Sequence, residues 1–199
     1  MRLLLLARHA EAESNLAATV NGVPPGGSLS PAGREQAQAL GRALADAQVD
    51  LCVTSEFARA RETAELALAE RSAPRLVLPE LNEIRFGSHE GDLLSTYRDW
   101  AWVAPPEEVC PGGGESRSAF AARLASGLDA LLRRDEDTLL AITHALAVRY
   151  VVDAAHGLVP KARMRAVPQA DPFRLDAEPL ERAAGMLAAW SQAPTFRSQ

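Results

Sequence analysis

The chain begins MRLLLLARHAEAESN, an apolar run that ends in Arg8 and His9, with Asn15 a few residues on. Two other apolar runs end in comparable chemistry. LCVT leads into Ser55 and, in the segment after it, Arg59 and Arg61; LLAIT leads into His144. Guanidinium groups and imidazoles delivered to one place suit a phosphate monoester. Arginine offers planar, multidentate donors to a dianion, which lysine matches less well. A histidine among arginines is held neutral, because nearby cations disfavour its protonation, and a neutral imidazole can attack phosphorus. The phosphohistidine so formed would be cleaved by water. A leaving alkoxide needs a proton, and Glu83, in PELNEIRFG, is the best-placed acid.

Each of these residues also has a plainer use. A histidine after a strand can cap or pack, arginines beside Glu56, Glu62 and Glu65 can pair along a helix, and Glu83 can be a surface carboxylate. Phe86, Tyr97, Trp100 and Trp102 can line a leaving-group pocket or form local core. Spacing brings the candidates to one edge; it does not bring them into contact.

The elements that must do the positioning are legible in outline. Leu3–Ala7, Leu51–Thr54 and Leu139–Thr143 are short apolar runs with abrupt polar ends, which predicts strands buried on both faces. A further strand is predicted over Leu76–Leu78, just before Glu83. Ser30-Pro31 opens a helix as N-cap and first-turn proline, with Ala37, Leu40 and Leu44 as its buried stripe. Phe57–Glu70 continues as a second helix. Phe120, Leu124, Leu128 and Leu131 mark another that runs from Glu115 to Arg133, and Leu180, Ala184, Leu187 and Trp190 mark a last one starting at Pro179. Strands alternating with helices predict a three-layer α/β/α sandwich with a mainly parallel central sheet, which binds ligands beyond the carboxyl ends of its strands. Residues 86–114 read as a loop and short-helix insertion over that edge. The terminal stretch Ala193–Gln199 reads as loose.

Composition bounds the rest. A chain of 199 residues, 47% apolar and 24% charged, fits a single domain spanning 1–199. A net charge of −5 without a basic tract argues against a nucleic-acid partner. The leading apolar run is shorter than an export signal needs, and no segment approaches the ~20 apolar residues of a membrane span. Two cysteines outside any motif predict reduced thiols and a cytoplasmic setting. His9, His89, His144 and His156 have no ligand-like spacing, so no metal or other cofactor is expected. No residue pattern speaks to oligomeric state.

Taken in order, these segments resemble the histidine phosphatase superfamily, the phosphoglycerate mutase-like group with an RHG motif. LLARHAEAESN is similar to its strand-plus-RHG-x-x-x-x-N opening, LSPAGREQAQALG to its first-helix motif and VTSEFARARETAE to its S-x-x-x-R-A-x-x-T-A segment. LNEIRFGSHEG, GGES and AITHALAVR complete the order, while nothing after about Gly157 aligns. The resemblance implies a phosphoglycerate mutase-like fold and a histidine acid phosphatase-type phosphoric monoester hydrolase acting on a small soluble phosphate ester, without a metal. It implies His9 as the phosphorylated nucleophile and Arg8, Arg59 and His144 around the phosphate, with Asn15 adding a hydrogen bond. Glu83 becomes the acid that later activates water. Mutase-type phosphoryl transfer and a non-catalytic phospholigand-binding module are the alternatives. Ala10, Ala12, Ala145 and Leu146 depart from the family pattern, which has glycine at Ala10 and glycines after the second histidine. His89 stands where an aromatic is common. Relaxed pocket shape is the expected consequence.

Overall fold

The computed structural model describes residues 1–196. In chain order it contains β1 (Leu3–Arg8), α1 (Glu13–Leu16), α2 (Pro31–Ala43), β2 (Leu51–Thr54), α3 (Ala58–Ala67), β3 (Arg75–Val77), α4 (Leu94–Ala101), α5 (Arg117–Leu132), β4 (Thr138–Thr143), α6 (Ala145–Ala155), β5 (Phe173–Asp176) and α7 (Ala177–Gln192). Short 3-10 turns cover Pro79–Leu81 and Gly87–His89. The five strands form one sheet in the order β3-β2-β4-β1-β5. Four are parallel; β5 pairs antiparallel with β1 at the edge.

The apolar strands are apolar because both faces are covered. Alternate residues divide between two cores: Leu4, Leu6, Val53, Leu139 and Ala141 pack with α5, α6 and α7, whereas Leu5, Ala7, Cys52, Leu140 and Ile142 pack with α2 and α3. Leu4, Leu124, Leu128 and Leu180 are fully sealed from solvent, which places most of the hydrophobic stabilisation in the larger, α5–α7 layer. Helix α2 starts as its sequence dictates, with the Ser30 hydroxyl accepting from the Gly33 amide at 2.9 Å. Gly33 is needed for space: a Cβ there would collide with the Glu11 carbonyl in the loop that follows His9.

Two helices extend or begin differently from expectation. The last helix starts at Ala177, two residues ahead of Pro179, so the proline sits in the first turn where its missing N–H costs nothing. Helix α5 begins at Arg117 because Ser116, rather than Glu115, is the cap, accepting from the Ala119 amide at 3.1 Å. Of the stretch expected to be loose, residues 197–199 lie outside the described residues. Phe196 packs on Trp190, whose indole N–H donates to the Thr195 carbonyl at 3.2 Å.

Candidate active site

Strand register assembles the centre. Parallel pairing sets Arg8 beside Thr143, so the next residues, His9 and His144, emerge side by side at the carboxyl edge. The His9 amide donates to the Thr143 carbonyl at 2.8 Å and the two imidazoles meet edge to face, 5.3 Å between centroids. Both are buried, His9 at 3% exposure and His144 at 0%. From the neighbouring β2 and the start of α3 comes Arg59, also buried.

Arg59 ties the site together. Its Nε donates to His9 Nε2 at 3.2 Å and its Nη2 to His144 Nδ1 at 3.2 Å. Its other bonds go to Asn21, whose side-chain oxygen accepts at 2.6 Å and carbonyl at 2.9 Å. These partners fix the tautomers. His9 Nδ1–H donates to the Ala10 carbonyl at 2.7 Å, leaving the Nε2 lone pair directed at Arg59. His144 accepts at Nδ1, so its Nε2–H donates to Ser55 Oγ at 2.9 Å. Burial, then the charges of Arg59 and Arg8, hold His9 well below the usual histidine range. Burial and Arg59 do the same to His144. Both rings are therefore neutral, and the 3.9 Å approach of His144 Nδ1 to Glu83 Oε2 is not an ion pair.

Glu83 follows the Pro79–Leu81 turn, and its Oε1 accepts from the Ile84 amide at 3.0 Å. Burial raises its pKa above the ordinary carboxylate range despite the opposing pull of Arg59 and Arg8. A carboxyl group so placed holds a proton it can give up. Arg8 anchors one Nη on the Val167 carbonyl at 3.0 Å, while its buried Nε has no partner among the described residues. Asn15 lines the same space, but its side-chain oxygen is already engaged by the Ala12 amide and Gln169 Nε2, each at 3.0 Å. Only its amide N–H groups remain to serve a ligand.

All of these side chains except His144, which is sealed behind His9 and Arg59, open into a cavity of about 460 Å³. Residues Arg8, His9, Asn15, Arg59 and Glu83 form part of its lining, and Phe86, Tyr97 and Trp102 form an aromatic part. Ala145 and Leu146, at the start of α6, present that helix's N-terminal end to it. Trp100 and His89 stand outside the lining. His89 is bonded to Asp92 at 3.0 Å and packs against Tyr97 and Trp100. Among the described residues no three His, Cys, Asp or Glu side chains gather as metal ligands.

The departures from the family pattern have a structural explanation. Neither Ala10, Ala145 nor Leu146 has positive φ, which among the described non-glycine residues is confined to Ala18 and Ala170. Ala10 is fully buried against Leu29 and Ala37, so its methyl group fills core.

Further residues, without a role evident from the sequence, support the centre. Thr63 Oγ1 accepts from the Ala10 amide at 3.0 Å and donates to the Arg59 carbonyl at 2.6 Å, coupling the nucleophile's loop to α3. Glu90 accepts from the Gly22 amide at 2.9 Å and from Asn21 at 3.2 Å, which steadies Arg59's own partner. Thr63 and Glu90 both lie inside quoted motif segments and were findable there; Asn21 carries no such signal.

A profile of the histidine phosphatase superfamily (branch 1) matches residues 4–178. The chain belongs to this superfamily. The adenosylcobalamin/alpha-ribazole phosphatase of Salmonella typhimurium is 38% identical over 152 residues, 71% of this chain and 73% of that one. A 2,3-bisphosphoglycerate-dependent phosphoglycerate mutase of Methylocella silvestris is 35% identical over 135 residues, 62% of this chain and 65% of that one. The crystal structure of the alpha-ribazole phosphatase from Shigella flexneri superposes with a TM-score of 0.75 at 29% identity, covering 87% of this chain and 90% of that one. The histidine phosphatase fold expected from the sequence is thus the fold observed, and the superfamily's phosphohistidine chemistry is the frame for the geometry above.

Proposed function

We propose that the protein is a metal-independent phosphomonoesterase that hydrolyses a small phosphate ester through a phosphohistidine at His9. The observation that carries this reading is the tautomer of His9. Its Nδ1–H is spent on the Ala10 carbonyl, so Nε2 keeps a lone pair at the cavity floor. In the unliganded site Arg59 Nε donates to that lone pair. A phosphate dianion is a stronger acceptor than an imidazole, so on binding it draws the guanidinium onto its own oxygens and frees Nε2.

The His9 Nε2–P bond forms as the P–O ester bond breaks, and Glu83 passes its proton to the departing oxygen. Water next attacks phosphorus, gives a proton to the Glu83 carboxylate, and the P–N bond breaks to return His9 and inorganic phosphate. Arg8 and Arg59 donate to the phosphoryl oxygens throughout and Asn15 adds an amide N–H; His144 joins them once its proton sits on Nδ1, with the Ser55 hydroxyl turned to donate to Nε2 and Arg59 drawn onto the phosphate. An acid phosphatase-type pH profile belongs to the proposal, since Glu83 must be protonated while His9 stays neutral well below the usual histidine range. Residues 86–114 act as the insertion that carries α4 over the site. Buried free thiols at Cys52 and Cys110 support a reducing, cytoplasmic setting.

The test is release of phosphate from p-nitrophenyl phosphate in EDTA, with alpha-ribazole phosphate assayed beside it because the relatives carry that name. Turnover with an acid-labile protein phosphate that His9→Ala abolishes is the expected result. Inactivity on both across pH 5–8 would leave a binding module. The mutase relative motivates one further assay: isomerisation of 3-phosphoglycerate, stimulated by 2,3-bisphosphoglycerate, would mark a phosphoryl transferase instead.

A further inference from the structure

Away from the histidines, the cavity lining holds two buried polar groups that the chemistry above leaves unused. Tyr97, on α4, is 5% exposed, and its hydroxyl lies against the Arg117 guanidinium without a well-formed hydrogen bond to any of the described residues. Arg117, the first residue of α5, is 8% exposed, and no carboxylate among the described residues pairs with it. Its Nε donates to the Tyr150 hydroxyl at 2.8 Å, and Nη2 is shared between the Lys161 and Ala162 carbonyls at 3.3 Å each. Nη1 donates to nothing among the described residues. A buried guanidinium satisfied only by neutral oxygens is electrostatically incomplete, and the Tyr97 hydroxyl beside it is not well bonded. The rest of the lining mixes the apolar side chains of Phe86, Leu94, Ala101 and Met164 with the further cations Arg98, Arg149 and Arg165.

We propose that Arg117 and Tyr97 form a subsite for a second anionic group on the substrate, a carboxylate or a second phosphate, carried on an apolar, ring-sized alcohol. This rests on the phosphomonoesterase reading for the position of the first phosphate. Arg117 supplies the charge and Nη1–H; the Tyr97 hydroxyl supplies a second donor. The phenol and the guanidinium come from α4 and the first residue of α5, whose later residue Arg123 instead holds the Glu83 carbonyl at 3.3 Å.

The experiment compares 4-carboxyphenyl phosphate with its neutral isostere 4-carbamoylphenyl phosphate, and with the bisphosphate of benzene-1,4-diol. Affinity is read by calorimetry on His9→Ala protein, so the result does not depend on turnover; phenyl phosphate hydrolysis by the unmodified protein tests the phosphatase reading separately. One of the two anionic esters should bind roughly 10- to 100-fold tighter than the carbamoyl ester, as expected for a hydrogen-bonded charge, and which one does so identifies the group. Adding Arg117→Gln should collapse the preference to about threefold or less, and Tyr97→Phe, which removes one neutral donor and leaves the guanidinium in place, should lower it by a smaller factor. A preference below about threefold in His9→Ala protein, or one that survives both substitutions, would overturn the subsite.

Discussion

Glu83→Gln separates the roles of the site most cleanly. Glutamine has the shape of the acid and keeps an oxygen that can accept from the Ile84 amide, as Glu83 does at 3.0 Å, so the backbone there has no cause to move. What it removes is the proton. An alkyl phosphate must expel a poor leaving group, and a positioned general acid contributes about 10²–10⁴ to such a step, equivalent to roughly 3–5 kcal/mol of barrier. The nitrophenolate of p-nitrophenyl phosphate leaves without help, so its loss in kcat/KM, which reports phosphorylation of His9 and not the later attack of water, should stay within about tenfold. The discriminating number is the ratio of the two losses.

The pH profile supplies an independent reading. Because burial raises Glu83, the acid form persists above the ordinary carboxylate range, and alkyl phosphatase activity should decline as pH rises through that raised pKa. No matching rise from His9 is expected across pH 5–8, since burial and Arg59 keep it neutral there. In Glu83→Gln the decline on the alkaline side should vanish. Steady-state kcat/KM against pH, on one alkyl and one aryl ester, measures both effects. Equal losses on the two esters, with the alkaline limb intact, would refute the assignment and send the search for an acid elsewhere in the cavity.

The remaining predictions concern the scaffold of the same centre. Arg59→Lys keeps a charge but cannot span His9, His144 and Asn21 at once; kcat/KM should fall about 10²–10³-fold, as for loss of a preorganised donor, and retention within tenfold would contradict the clamp. Thr63→Val strands the buried Ala10 amide, so chemical denaturation should show a loss of about 1–3 kcal/mol together with a lower kcat. Ala10→Gly restores the family's glycine yet should destabilise by about 1–2 kcal/mol, from lost burial and added chain entropy, because Ala10 is packed core without positive φ. A rise in melting temperature would show that the position strains an alanine after all.

How far the sequence discloses this molecule depends on how each segment is buried. β1, β2 and β4 are readable because both faces are covered, which forces runs such as LLLLA and LLAIT. β5 is not, since Phe173–Asp176 is a short edge strand with only Leu175 buried, and FRLD offers no period to detect. α6 was hidden for a related reason: its core face, with Ala147, Val148, Tyr150, Val151 and Val152, is so nearly continuous that periodicity blurs. The site's charged residues were named from motif order and strand ends, but their contacts were not, because a contact such as that of Arg59 with Asn21 is made across a loop with no regular pattern.

The strand register explains why so much of the centre follows from so little sequence. β1 and β4 are far apart in the chain yet adjacent in the sheet, paired residue for residue from Leu3 with Thr138 to Arg8 with Thr143. In a sheet with both faces buried, a slip of one residue would exchange the α2–α3 and α5–α7 faces of a strand and misplace its entire apolar set. The hydrophobic pattern that prevents this slip also fixes His9 against His144, since each is the first residue beyond its strand. Core packing therefore sets the distance between the imidazoles, and Arg59 need only bridge a gap already defined. On this argument a substitution that shifts β4 in register, such as a one-residue deletion within Leu139–Ile142, should abolish activity even in protein that remains folded, while an equal deletion in the edge strand β5 should cost stability first.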